Sequence, residues 1–486
     1  MRRLDEILQA AGVDAPQSAA IEFKGFNLDS RTLQPGEVFC ASAGHTQDGT
    51  RYIPEALNKG AVAVLYDAGL RPEPADVPLI AVPDLSAKLS ALAAAFYHYP
   101  SRDLNMIGVT GTNGKTSVTQ YFAQALDQLQ APCGILGTVG NGRWGRLAGA
   151  KLTTPDAISV QSWLAQFRDE GMKAVAMEVS SHGLVQQRVA AVEFKLAVFT
   201  NLTQDHLDFH HNMADYAAAK AKLFALPNLA FAALNADDAY VDIMAKALAP
   251  ATQVLYYGLS ERAEVRGIAL QALPHGYRLR FKSPWGEAEW QIPLLGIFNI
   301  YNVLALITGL GLLGYDLARI EAAVCGLQGA KGRMEVIRYP GRATVIIDYA
   351  HTPDALEKAL QAVRTHCPGK LWLISGCGGD RDRSKRPIMA KIAVENADRL
   401  IVTEDNNRFE AFTQIVDDMR PGFLHPDRVT IIPKRADAIR YALQHADSHD
   451  SVLLANKGHE NYLDICGVKQ PFDEREVVKQ VYGLSV

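Results

Sequence analysis

The sequence predicts an α/β protein of three domains built on parallel sheets. Three observations predict it. At 486 residues the chain has room for about three domains, taking about 150 residues for each. A buried strand, a glycine loop and an amphipathic helix follow one another directly near Gly111. In the last third, buried strands repeatedly run into polar loops and then helices, as a parallel sheet does when it presents ligand loops at its strand ends. Helical patterns meet breakers near Pro100 and Gly329, so the expected domains are 1–98, 99–329 and 330–486.

In the first segment, "GAVAVLYD" (60–67) and "VPLIAV" (77–82) read as buried strands, and "ALNKG" ends a helix. The helix "LSAKLSALAAAFYHYPS" then stops at Pro100 and Ser101. The second segment opens on the strand "LNMIGVT" and the glycine loop. In the following helix Val118, Tyr121, Phe122, Ala125, Leu126 and Leu129 recur at helical spacing. The strand "KAVAMEVSS" carries an acid, Glu178, and the strand "LAVFTNLT" leads into "QDHLDFHH". A long helical stretch, "NVLALITGLGLLGYDLARIEAAVCGL", gives way to "GAKGR". In the third segment "ATVIIDYAH", "LWLISGCGG", "RLIVTEDNNR" and "SVLLANKGHENY" are the strand-to-loop junctions of a Rossmann-like α/β domain.

Composition narrows the function classes. With 48% apolar and 21% charged residues the chain reads as folded rather than disordered. A net charge of −4 offers no bulk attraction to nucleic acid or an anionic membrane. The six cysteines are scattered without a C-x-x-C pair, which argues against zinc ribbons, redox motifs and a disulfide framework. The start "MRRLDEILQAAGV" lacks the apolar run of a secretory signal, and no stretch of about 20 apolar residues follows. A monomer in the cytoplasm is expected.

The stretch "GVTGTNGKTS" (108–117) resembles a phosphate-binding loop with one glycine displaced. In G-x-x-x-x-G-K-[ST] the first glycine would stand at Val109, whereas here Gly111 lies mid-loop. Backbone N–H groups of Gly111, Thr112, Asn113, Gly114, Lys115, Thr116 and Ser117, with the helix N-terminus, would make a nest for phosphate oxygens. Lys115 would reach the β- and γ-phosphates of ATP, and Thr116 would offer its hydroxyl to Mg²⁺. The central domain is therefore expected to be a P-loop-type mononucleotide-binding sheet. Glu178, closing a buried strand, stands where nucleotide enzymes place a carboxylate on Mg²⁺. His206 and His210 are four apart beside Asp205 and Asp208, but no Glu follows His206 as a zinc H-E-x-x-H motif requires. "YAAAKAKLF" places Lys220 and Lys222 on a helix, with Lys222 read as a surface residue.

Taken together, "GTNGKTS", "AMEVSSHGLVQQRV", "FTNLTQDHLDFH", "YAAAKAKLF", "FNIYN", "GRMEV", "DYAHTPDALE" and "GCGGDRD" resemble the Mur ligases, in order and over nearly the whole chain. That family's loop reads G-T-N-G-K-[ST], so Gly111 is its expected glycine. The resemblance implies an ATP-dependent amide ligase of peptidoglycan synthesis. The γ-phosphoryl of ATP would pass to the D-glutamate γ-carboxylate of UDP-MurNAc-L-Ala-D-Glu, and an amine would attack the acyl phosphate. Lys115 and Mg²⁺ would neutralise the charge, since an anionic acceptor must meet an anionic donor. By family correspondence Thr116 and Glu178 serve one metal, and Glu178 and His206 a second. Lys220 matches a carbamylated lysine, whose anionic oxygens can ligate where an ammonium would be repelled.

The same resemblance places adenine near Asn299 and Asn302, and brings Arg333 and Asp348 to the nucleotide when the domains close. It assigns the UDP-sugar dipeptide to Leu28, Ser30, His45, Thr46, Gln47, Thr153, Thr154, Ser180, Gln186 and Arg188. Leu152 stands where the family often has Asn, so that contact is not carried over. The incoming amino acid maps to Arg381, Asp405, Asn406, Asn407, Arg408, Asn456 and Glu460. The segment "DNNR" keeps the arginine of the D-N-P-R signature of diaminopimelate-adding members, and an arginine fork reads a distal carboxylate well. Meso-diaminopimelate is therefore expected, with L-lysine as the alternative. Asn407 replaces the signature's proline and Asn456 the glycine of G-K-G-H-E, where Asn tolerates the left-handed region. A folylpolyglutamate-synthetase-like ligase lacks the "NLDSR…PGEVF" segment and "DNNR". A regulatory nucleotide-binding protein would not need Lys115, Glu178, His206 and Lys220 together.

Overall fold

The computed structural model describes residues 1–42 and 48–483. His45, Thr46 and Gln47, assigned above to the UDP-sugar dipeptide, lie outside the described residues. The fold is α/β with parallel sheets in the three-domain architecture expected. The chain forms two compact units: Met1–Glu264 with Ala305–Tyr315, and Val265–Leu304 with Asp316–Val486.

The first unit holds two larger sheets beside a short antiparallel pair, Arg2–Arg3 with Glu22–Phe23. A four-stranded parallel sheet runs Phe26–Asn27, Val38–Ala41, Ala63–Asp67 and Leu79–Val82 in chain order. Leu4, Ile7 and Leu8 of helix Leu4–Ala10, and Leu85, Leu89 and Leu92 of helix Leu85–Phe96, pack with Val38, Cys40 and Leu65 in one core. Asp84 starts the second helix by accepting from Ala87 N, as an N-cap carboxylate does.

The second sheet of this unit is mainly parallel, in the order Cys133–Gly137, Ala174–Glu178, Asn105–Thr110, Leu196–Phe199, Phe231–Asn235 and Gln253–Gly258. An antiparallel extension, Gly140–Arg143 and Arg146–Ala148, continues from Cys133–Gly137. The strand Asn105–Thr110 is central, and the chain crosses over it from Ala174–Glu178 to Leu196–Phe199. That is the strand-order reversal where open α/β sheets form a crevice. Register sets Glu178 beside Val109 and Phe199 beside Thr110, so three strand ends meet at the glycine loop.

The second unit carries an antiparallel meander, Val265–Leu273, Gly276–Ser283 and Gly286–Ile292. It also carries a six-stranded sheet in the order Glu335–Ile337, Thr344–Ile347, Ser451–Leu454, Leu371–Ser375, Arg399–Val402 and Val429–Ile431, parallel but for its first pair. Strand residues alternate between two cores. Ile346, Leu373, Leu400 and Leu453 face Leu356, Leu360, Met389 and Ile415, while Val345, Ile374, Ile401 and Val452 face Ile439, Leu443 and Val478. Helices cover both faces, as the continuous apolar runs of these strands require. Ser451–Leu454 returns to pair between Thr344–Ile347 and Leu371–Ser375, which makes a second reversal point.

Candidate functional site

The glycine loop sits at the first reversal point. Val109 is buried within the strand, so the loop opens at Gly111 and the missing early glycine has no structural place. Gly111 has φ +149°, and a Cβ there would overlap the Thr200 hydroxyl. Gly114 has φ +87° and precedes helix Lys115–Gln128. The loop is tied to the neighbouring strand end. Thr112 N donates to Asn201 O over 2.8 Å, Asn113 N to Asn201 Oδ1 over 3.0 Å, and Thr200 Oγ1 to Asn113 O over 2.6 Å.

Lys115 Nζ curls over the loop and donates to Gly111 O and Thr112 O, each at 2.8 Å. Lys220, almost fully buried, donates to the same Gly111 O at 2.8 Å and lies 4.5 Å above the Tyr216 ring. Burial, and then the charge of Lys115, hold the Lys220 ammonium well below the usual lysine range, with Asp205 opposing. Tyr216 in turn sets its hydroxyl 3.2 Å from Thr112 Oγ1 and stacks on His210 at 4.9 Å between centroids.

Glu178 is 1% exposed. Its Oε2 accepts from Thr116 Oγ1 at 3.0 Å, and its Oε1 from Thr138 N at 2.8 Å. The Thr138 hydroxyl lies 3.0 Å from both Glu178 Oε2 and Thr153 Oγ1. No lysine or arginine forms an ion pair with Glu178 among the described residues. A buried carboxylate without a cation is costly, and here it sits beside a hydroxyl whose proton points to it. The Thr116 oxygen therefore keeps lone pairs free for a cation. A hard divalent ion with a preference for oxygen ligands fits this donor set.

His206 is left-handed at φ +51° and starts the short helix Leu207–His210. Its Nε2 lies 3.5 Å from Asp205 Oδ2, and its ring meets His182 at 5.0 Å between centroids. His182 also meets His210 at 5.5 Å. Burial chiefly lowers the His182 and His210 pKa values, the latter to about 4. Among the described residues no three His, Cys, Asp or Glu side chains gather as a metal site, so Glu178 and His206 are not joined by a third such ligand. His182, Thr138 and Tyr216 were missed by sequence reasoning. His182 lies inside the motif "AMEVSSHGLVQQRV", while nothing local marks Thr138.

The dipeptide candidates form a second group. Thr154 Oγ1 donates to Glu178 O at 2.8 Å and lies 3.0 Å from Ser180 Oγ, which caps Ser181–Val185. Arg188 Nη1 donates to Thr154 O at 2.6 Å, and Arg188 Nη2 donates to Gln186 Oε1. Burial lowers the Arg188 pKa, and no carboxylate pairs with it among the described residues. A half-buried guanidinium with no carboxylate in direct contact and only the more distant charge of Asp156 acting on it suits a phosphate or carboxylate ligand. Ser30 donates to Glu55 Oε2 at 2.6 Å, Leu28 packs on the first core, and Leu152 is exposed.

The second unit holds its own candidate cavity, about 140 Å³, at the second reversal point. Arg381, Asp405, Asn406, Arg408, Asn456 and Glu460 all line it, while Asn407 does not. Lys457, fully buried, donates to Asn406 Oδ1 at 2.9 Å and Glu460 Oε2 at 2.7 Å, and lies 3.7 Å from Asp405 Oδ1. Asp405 Oδ1 itself has no hydrogen bond. Arg408, left-handed at φ +49°, places Nη1 2.7 Å from Gly379 O. Glu410 holds the two loops together by accepting from Asp380 N at 2.7 Å and from Arg386 Nη2 at 2.5 Å.

Elsewhere in this unit Asn302 Nδ2 donates to Asn299 Oδ1 at 3.0 Å, and Asn299 Nδ2 to Leu295 O at 2.8 Å. Met334 N donates to Asp348 Oδ2 at 2.7 Å, and Arg333 lies 4.8 Å over the Tyr349 ring. Burial raises the Asp348 carboxyl, against the opposing charge of Arg333.

Residues 22–97 match the Mur ligase family catalytic domain, residues 109–309 the Mur ligase middle domain, and residues 332–458 the Mur ligase glutamate ligase domain. The chain is 49% identical over 451 residues to the UDP-N-acetylmuramoyl-L-alanyl-D-glutamate--2,6-diaminopimelate ligase of Pseudomonas aeruginosa, covering 92% of this chain and 93% of the relative. It is 48% identical over 495 residues to the enzyme of that name from Alkalilimnicola ehrlichii, covering 99% of each. A solved structure of an enzyme with that name superposes with a TM-score of 0.75 at 34% identity, over 99% of both chains. No helix among the described residues is long and apolar enough to cross a membrane.

Proposed function

The chain belongs to the Mur ligase family, and from that we propose that it adds meso-diaminopimelate to the D-glutamate γ-carboxylate of UDP-MurNAc-L-Ala-D-Glu at the expense of ATP. It is an ATP-dependent acid–amino-acid ligase of peptidoglycan synthesis. The γ-carboxylate oxygen attacks the γ-phosphorus of ATP and ADP departs. The substrate amine then attacks the acyl carbon, the C–O bond to phosphate breaks, and the amine loses a proton as the amide forms.

In this reading the loop 111–117 cradles the phosphates with the N–H groups that Asn201 does not hold, and Lys115 leaves the loop carbonyls for phosphoryl oxygens. Thr116 and Glu178 would hold one Mg²⁺ and Glu178 and His206 a second, with the Lys220 carbamate as a further oxygen ligand, and the metal would supply charge neutralisation for phosphoryl transfer. The low pKa of Lys220 supports its carbamylation, because only a neutral amine adds to carbon dioxide. Arg188, with Thr153, Thr154, Ser180 and Gln186, takes the anionic dipeptide, and Leu28, Ser30, His45, Thr46 and Gln47 the UDP-sugar. Asn299, Asn302, Arg333 and Asp348 keep their nucleotide roles. Work in the cytoplasm as a monomer completes the proposal, with the domains divided as 1–98, 99–329 and 330–486.

The observation that carries the choice of amine is the mixed charge lining one cavity: Arg381, Lys385 and Arg408 with Asp405 and Glu460, the two carboxylates held by buried Lys457. A molecule with carboxylates and ammonium groups at both ends meets a partner at each. Asn407 takes no part in that lining, and its carbonyl accepts from Glu410 N at 3.0 Å. The test measures phosphate release with the UDP-linked dipeptide and meso-diaminopimelate, L-lysine or L-ornithine. Greater turnover with L-lysine than with meso-diaminopimelate would overturn the choice of amine. Absence of label in phosphate from an ¹⁸O-labelled γ-carboxylate would overturn the mechanism.

A further inference from the structure

Asn456 has φ +84°, a conformation that ordinarily favours glycine, and is 4% exposed. Its backbone lies just beyond strand Ser451–Leu454, which is flanked by Thr344–Ile347 and Leu371–Ser375. The ladder closes with Asp348 N donating to Leu454 O at 2.9 Å and Ala455 N to Ile374 O at 3.0 Å. Past that point the three chains diverge into the loops that line the cavity. The Asn456 side chain adds one more rung on each side. Its Oδ1 accepts from Ser375 Oγ at 2.9 Å and Gly376 N at 3.0 Å, and its Nδ2 donates to Ala350 O at 3.1 Å. Two donors at the oxygen and a carbonyl at the nitrogen fix which way the amide points. Every one of these partners adjoins the cavity lining, which includes Tyr349 and His351 on one side and Gly376, Cys377 and Gly378 on the other.

We infer that Asn456 is a positioning residue for the incoming amino acid: its side chain ties the loops after three neighbouring strands and holds the cavity walls ready for ligand. The inference rests on the proposed amine site for its kinetic consequence, but not for the tether itself. A glycine at this position keeps the left-handed turn and removes all three bonds. The walls then sample open arrangements, and apparent affinity falls by the fraction that remains competent.

The test uses the full chain and two variants. In Asn456→Gly, hydrogen exchange should quicken in peptides covering 349–352 and 376–380. The KM for meso-diaminopimelate should rise by about tenfold, with the KM values for ATP and the UDP-linked dipeptide within about twofold of wild type. Asn456→Asp keeps the acceptor for Ser375 and Gly376 but loses the donor to Ala350, so faster exchange should be confined to 349–352. Unchanged exchange in Asn456→Gly would overturn the tether. An unchanged KM for the amino acid, or a common rise in all three KM values, would overturn the positioning role. If the wild-type chain does not use meso-diaminopimelate, the proposed amine site fails on its own, and the exchange pattern still decides the tether.

Discussion

Lys115 and Lys220 donate to one acceptor, the carbonyl oxygen of Gly111, each across 2.8 Å. Two ammonium groups at one oxygen repel, and the buried member has little water to relieve it. Burial first, and then the charge of Lys115, push the Lys220 ammonium well below the usual lysine range.

Lys220→Arg therefore tests the carbamate, because it replaces the amine that forms it with a group that cannot. Guanidinium stays protonated and forms no stable carbamate. We expect ligase activity to fall by roughly 100-fold or more, the range typical for loss of a group that serves charge at the reacting centre. Added bicarbonate should not restore it. A ¹³C carbamate resonance should appear in the wild-type protein under labelled carbon dioxide and be absent from the variant. An active Lys220→Arg enzyme would refute the assignment.

Glu178→Gln keeps the shape but removes the buried negative charge and turns one acceptor into a donor. The amide NH₂ would face the donors Thr138 N or Thr116 Oγ1, which now share the carboxylate. Activity should fall by roughly 100-fold or more, and the Mg²⁺ concentration for half-maximal rate should rise. A magnesium titration unchanged from wild type would remove Glu178 from the metal.

Arg408→Gln removes the guanidinium from the cavity. Charged hydrogen bonds contribute about 1.5–3 kcal/mol, so kcat/KM for meso-diaminopimelate should fall roughly 10- to 150-fold. The rate with L-lysine should not fall with it, because lysine has no second carboxylate to lose. Equal losses for both amines would show that Arg408 holds the loop through Gly379 rather than reading the ligand.

Glu410 has a carboxyl pushed down to about 2, foremost by its hydrogen bond from Arg386. A carboxyl with a folded pKa below its unfolded value stabilises fully above the unfolded value, near 4.5, and loses that stabilisation as pH falls toward 2. Glu410→Gln should thus lower Tm at neutral pH. The gap from wild type should close between pH 4.5 and 2. A gap independent of pH would show that Glu410 acts by packing alone.

The sequence made the strands, the glycine loop and the alternation of the last third legible because each is a local pattern. Buried runs such as Leu371–Ser375 and breakers such as Gly114 announce themselves within a few residues. The long helical stretch near the end of the second segment proved to be two helices, Ile297–Leu312 and Leu317–Cys325, with Asp316 capping the second. The meander from Val265 to Ile292 went unread, although Tyr277, Leu279 and Phe281 alternate with Arg278, Arg280 and Lys282 in its middle strand; only Val265–Leu273 lacks such alternation. Thr138, Lys457 and Tyr216 were invisible for another reason. Their roles arise from partners 40, 51 and 104 residues away in the chain, and no local spacing encodes such a meeting. Motif resemblance reached Glu178 and Lys220 but not the hydroxyls and rings that complete their surroundings.

Thr138 has a single hydroxyl proton, yet stands 3.0 Å from both Glu178 Oε2 and Thr153 Oγ1. It has to choose. A cation drawing on the carboxylate's lone pairs would weaken that acceptor and turn the proton toward Thr153. Nucleotide loading would then be sensed by the dipeptide through the rotation of one O–H bond, with no displaced backbone. In Thr138→Val this thermodynamic communication should vanish, so calorimetry should find dipeptide affinity indifferent to ADP and magnesium. Wild-type-like linkage in that variant would assign the message to another route.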